Sequence, residues 1–160
     1  MRVVKIGEED VTMDPSILDF GETNLNEFLQ KVGGHHAYFA EKHADSVWIL
    51  GLYEQKYDEV YGKRFRELKG SGSGISIPLA EAATKSDPEV VEAHSKMLAA
   101  RLNKDLIGGF LKSIDKAFQA AMNYGYNKRK EMDKLNHDIR GDSLDDDPNE
   151  RVAAAIAQDS

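Results

Sequence analysis

Two clusters of cations could do chemistry in this chain, and that chemistry is the holding of an anionic polymer. The first is the run Tyr61-Gly-Lys63-Arg64-Phe65-Arg66-Glu67-Leu68-Lys69, which leads straight into Gly70-Ser-Gly-Ser-Gly74. The second is Lys128-Arg129-Lys130. Lys63, Arg64, Arg66, Lys69, Lys128, Arg129 and Lys130 are therefore the candidate phosphate contacts. Lysine and arginine release counterions when they neutralise phosphates, which drives binding to nucleic acid of any sequence. Phe65 stands between two arginines and is the candidate for stacking on a base. The competing reading is two solvated helix ends, where cations complement the negative pole of the macrodipole. Tyr53, Tyr57 and Tyr61 precede Phe65 at four-residue steps. The far pair, Tyr53 and Tyr57, reads as core rather than as a stacking platform.

Other chemistries find no anchor. The Gly70–Gly74 stretch is glycine-rich, but no Gly-Lys-Ser/Thr follows it, so it reads as a connection and not as a phosphate cradle. His35, His36 and His43 lie close in sequence without a matched third or fourth ligand, so no metal and no cofactor is expected. Aspartates and glutamates are scattered with no pair on an apolar background, and no nucleophile motif appears. The chain reads as a non-enzyme.

Charge is distributed unevenly. The net charge is −7. Residues 1–30 hold 2 cations against 7 anions, residues 141–160 hold 1 against 6, and residues 31–140 hold 18 against 15. Two acidic ends thus flank a mildly basic middle. An acidic tail of this kind can compete with DNA for the cations, offer a handle to a partner protein, or simply solubilise. There is no cysteine, which permits a cytoplasmic setting. The longest apolar run, Val47-Trp-Ile-Leu50, is far short of a membrane span, and the N-terminus has no apolar core of signal-peptide length.

The elements that must position these residues are helical. Residues 1–22 read as an acidic, irregular lead with room for a short strand at Arg2–Ile6. Residues 23–140 form the helical domain, and 141–160 a tail with an acidic loop at 141–147 and a short helix at 149–158. Asn24 with Glu27 suggests a capping arrangement for a short helix that Gly33-Gly34 interrupts or ends. A helix is expected from His35 to Lys69, then a loop, a short helix from Pro78 to about Lys85, and a long helix over 88–138 opened by Ser86-Asp-Pro-Glu89. Gly108-Gly109 invites a kink in it. Ile107, Leu111, Ile114 and Phe118 step by 4, 3 and 4, the spacing of a coiled-coil seam within or between subunits, and are the candidate oligomerisation residues. The expected fold is all-α: a long antiparallel helical hairpin with short flanking helices, assembling as a homo-oligomer. Residues 64–66 would lie near its turn, with Lys128 about 60 Å away at 1.5 Å per residue.

Residues 24–138 resemble the phage recombination mediators of the UvsY type. The resemblance lies in the order of parts: Arg64 and Arg66 ahead of Ser71-Gly-Ser-Gly74, then Thr84-Lys-Ser-Asp-Pro-Glu-Val-Val91 leading into a long helix. That helix runs through Phe110-Leu-Lys-Ser-Ile-Asp-Lys-Ala-Phe118 and Gly125 to the basic run 128–130 and Glu131-Met-Asp-Lys-Leu135. The resemblance implies a non-enzymatic DNA recombination and repair protein, with Arg64 and Arg66 on DNA. It implies a protein that binds single-stranded DNA and helps load a RecA-like recombinase in place of single-strand-binding protein. It also implies a homo-oligomeric ring of six or seven subunits in the host cytoplasm. Two alternatives stay open: a structural or scaffolding helical protein of a phage complex, or an adaptor without direct DNA contact.

Overall fold

The computed structural model describes residues 1–70 and 74–144, with backbone alone for 138–144. The expected helix at 149–158 and the end of the acidic loop lie outside the described residues. Two strands, β1 (Arg2–Ile6) and β2 (Glu9–Met13), are followed by a 3₁₀ turn at Pro15–Leu18 and three helices. The helices are α1 (Leu25–Gly70), α2 (Ile77–Lys85) and α3 (Pro88–Leu144). Residues 1–118 make one compact unit, and the rest of α3, from Gln119 on, belongs to a second. No described helix is long and apolar enough to cross a membrane.

The fold is mostly helical but not all-α, because the N-terminal lead is a β-hairpin. β1 and β2 pair antiparallel, with Val4 opposite Val11 and Ile6 opposite Glu9. Gly7 and Glu8 make the two-residue turn. Gly7 has φ +60, and among the described residues none other than glycine has a positive φ, so the turn has the II′ form that matches strand twist. Val4, Ile6, Val11 and Met13 point to one side and are buried. Alternation is therefore present, but each strand offers only two inward positions.

α1 runs unbroken through Gly33-Gly34, contrary to the interruption expected there. Two glycines cost a helix about 1 kcal/mol each. Burial of Phe28, Val32 and Phe39 on either side offsets that cost. Asn24 does not form a capping box. Its carboxamide oxygen accepts from Gly21 N at 2.6 Å, while Glu27 pairs with Lys31. α3 likewise continues through Gly108-Gly109, and through 141–144 where a loop was expected. Asp87 is its cap: the carboxylate accepts from Glu89 N at 3.0 Å, and Pro88 occupies the first turn.

Within residues 1–118, α1 and α3 form the expected antiparallel hairpin. Arg64 meets Asp87, Tyr57 meets His94, Glu54 meets Arg101, His43 meets Gly108, Phe39 meets Phe110 and His36 meets Asp115. Positions fall along one helix as they rise along the other. The seam extends beyond the four residues expected, because Val90, Met97 and Ala100 continue it toward the start of α3. At Gly108 a Cβ would come within 3.0 Å of the His43 ring, so glycine there lets His43 lie across the backbone of α3.

The β-hairpin is pinned to the helices by polar contacts. Asn103 Nδ2 donates to Lys5 O at 2.7 Å. Lys42 Nζ donates to Glu9 Oε2 at 2.8 Å, with Asp45 and Glu41 within 4.0 Å. Lys42 is a buried residue, and the hydrogen bond to Glu9 raises its pKa above the ordinary lysine value of 10.5. A raised lysine pKa means that this contribution is complete below the ordinary lysine range and is lost as pH rises past it. Lys42→Ala is therefore expected to loosen residues 2–13 ahead of the helices. Faster amide exchange confined to those residues checks it.

Candidate nucleic-acid interface

The last two turns of α1 separate the basic residues that stand side by side in the sequence. At 3.6 residues per turn, Lys63, Arg66 and Lys69 step by three and run along one side of the helix. Arg64, two residues from Arg66, points elsewhere, toward the start of α3. Its Nε donates to Asp87 Oδ2 at 2.7 Å, and its Nη1 to Glu67 Oε2 at 3.1 Å. Glu67 first and Asp87 second raise its pKa. Asp87 thus caps α3 and holds Arg64 at once, tying the C-terminal end of α1 to the N-terminal end of α3. The cue in the sequence was the Asp-Pro start. What it did not show was which arginine the cap would engage.

Lys63 and Arg66 are exposed, and among the described residues neither has a carboxylate partner. Lys69 is exposed and donates to Ile75 O at 3.2 Å, bridging the end of α1 to the residues ahead of α2. Phe65 is half-buried, its ring parallel to Tyr61 with centroids 6.4 Å apart. Tyr61 in turn lies 5.9 Å from Tyr57. Tyr57 packs on the cluster of Leu50, Met97 and Ala100, which places it in the core as expected, whereas Tyr53 is more exposed. The stripe is therefore anchored at Tyr57 and opens toward Phe65.

In the second unit, Arg129 Nε donates to Gly125 O at 3.3 Å, and Lys130 Nζ lies 4.7 Å from the centre of the Tyr126 ring. Both side chains are exposed, and Lys128 is half-buried. No protein-family model, curated protein or solved structure matches this chain.

Two further sets of predicted residues have definite places. Ile107 and Ile114 are almost completely buried within the single chain, and Leu111 is half-buried, so the seam packs inside the protomer. Ile107 and Ile114 are thus not open to a second copy, and Phe118 is the exposed member of the four. The histidines go separate ways. His36 Nε2 is 3.1 Å from Asp115 Oδ1, and His43 lies against Gly108. Among the described residues no three His, Asp or Glu side chains converge as a metal site would require.

Proposed function

We propose that this chain binds single-stranded DNA without sequence preference, as a non-enzymatic recombination mediator. In that role it helps a RecA-like recombinase replace single-strand-binding protein, as a homo-oligomer of six or seven copies. The observation that supports the reading is the line of exposed cations Lys63, Arg66 and Lys69 along one side of the end of α1. A strand laid along that line meets phosphate partners at successive turns of one helix, the electrostatic contact that gives binding without sequence preference. Arg64 serves this surface indirectly, by holding the end of α1 against α3. Lys128, Arg129 and Lys130 supply the second set of contacts, and the acidic residues beyond 140 modulate access by competing for the cations.

Fluorescence anisotropy with labelled oligo-dT tests the reading. Binding is expected at low salt, with log affinity falling linearly as log salt rises. A chain that ignores oligo-dT at low salt is not a DNA-binding mediator.

A further inference from the structure

Phosphate contacts alone would hold any polyanion, so a single-strand binder also needs a surface for bases. Phe65 is half-buried, and its ring lies parallel to Tyr61. The start of α2 offers a more open surface. Ile77 is 55% exposed, Leu79 is 60% exposed, and Pro78 between them is exposed as well. α2 packs on α1, and its buried residues are Ala80 and Thr84. At about 100° per residue, Pro78 and Leu79 point away from those two, and Ile77 stands at the first turn.

Contacts at both ends of α2 place this surface beside the cations. Lys69, the last of the cation line, donates to Ile75 O at 3.2 Å, just ahead of Ile77. Asp87, just past the end of α2, accepts from Arg64 Nε at 2.7 Å. α2 is therefore held along the turns of α1 that carry Lys63, Arg66 and Lys69. The charge there is largely unopposed. Arg64 takes Glu67 and Asp87, which leaves Lys63, Arg66, Lys69 and Lys85 against Glu81 alone between residues 63 and 87. An apolar surface bordered by cations suits a ligand that is anionic on one side and apolar on the other. A single strand is such a ligand, because its phosphates are charged and its unpaired bases show flat faces that a duplex keeps stacked.

We propose that Ile77, Pro78 and Leu79 receive the unpaired bases of the strand whose phosphates lie on Lys63, Arg66 and Lys69. The inference rests on the DNA reading above and names what that site selects: strands that carry free bases, over bare polyanions. Covering about 60 Å² of apolar surface strengthens binding about tenfold. That share of the affinity comes from desolvation, so salt leaves it in place while weakening the phosphate contacts.

The full chain is titrated by anisotropy, over a salt series, against labelled oligo-dT and against an abasic strand of equal length. Wild type is expected to bind oligo-dT about tenfold more tightly than the abasic strand, with the same ratio at low and at high salt. Ile77→Gln with Leu79→Gln is expected to bind both strands equally, with the wild-type salt slope. Leu79→Phe enlarges the apolar surface and is expected to widen the preference; it decides the matter if the double variant loses helicity. A wild type that binds both strands equally, or variants whose preference matches that of wild type, overturn the proposal and leave the DNA reading standing. A chain that binds neither strand at low salt overturns both. Vesicles of phosphatidylserine and phosphatidylcholine form a second arm. Wild-type binding to them that the double variant loses, with no preference for oligo-dT over the abasic strand, assigns the patch to a membrane surface and overturns the proposal. A double variant of lower mass than wild type in sedimentation velocity assigns the patch to a second copy and likewise overturns it.

Discussion

Ile114→Asp is expected to unfold the protein. Ile114 is 1% exposed, in a seam with Ile107 and Leu111 that packs against α1. An unpaired carboxylate placed there loses its water and gains no partner, at a cost of several kcal/mol. Domains of this size have about 5–15 kcal/mol of stability in total, so that one change removes most of it. Ile114→Val, which removes a single methylene, is expected to cost only about 1 kcal/mol. Urea denaturation followed by circular dichroism compares the two. A cooperative transition in Ile114→Asp at the wild-type midpoint would place the seam on the surface. Because the seam closes the protomer, oligo-dT binding is expected to disappear along with the fold.

Lys63→Ala with Arg66→Ala is expected to abolish most single-strand binding while leaving the fold intact. Both side chains are exposed and lack carboxylate partners among the described residues. Each lost phosphate contact flattens the salt slope by about 0.7 on single strands. On a strand that touches every copy of a six-membered ring, two cations per copy amount to about twelve contacts, and the slope changes by about 8. Arg64→Ala provides the contrast. It frees Asp87 and Glu67 and detaches the end of α1 from the start of α3, so its melting temperature is expected to fall. Anisotropy over a salt series, paired with thermal melts, separates the two roles. If the double variant binds as wild type does, the contacts lie at Lys128–Lys130 instead.

The chain's helical character, its hairpin and the start of α3 were legible in the sequence because each is a local signal. Ile107, Leu111, Ile114 and Phe118 announce a helical seam by spacing alone, and Ser86-Asp-Pro-Glu89 announces a helix start by capping chemistry. The β-hairpin was harder to read. Its strands have five residues each, and the inward pairs Val4–Ile6 and Val11–Met13 become a pattern only once Gly7-Glu8 folds one strand onto the other. Gly33-Gly34 misled for a related reason. Helix propensity there is weak locally, and the burial of Phe28, Val32 and Phe39 that overrides it is a property of the packed pair of helices. The basic run 63–69 was plain from composition. Tertiary structure decided how it is shared. Helical geometry turns Arg64 toward Asp87 and leaves Lys63 and Arg66 in water, because neighbours two apart on a helix face different surroundings while neighbours three apart share them.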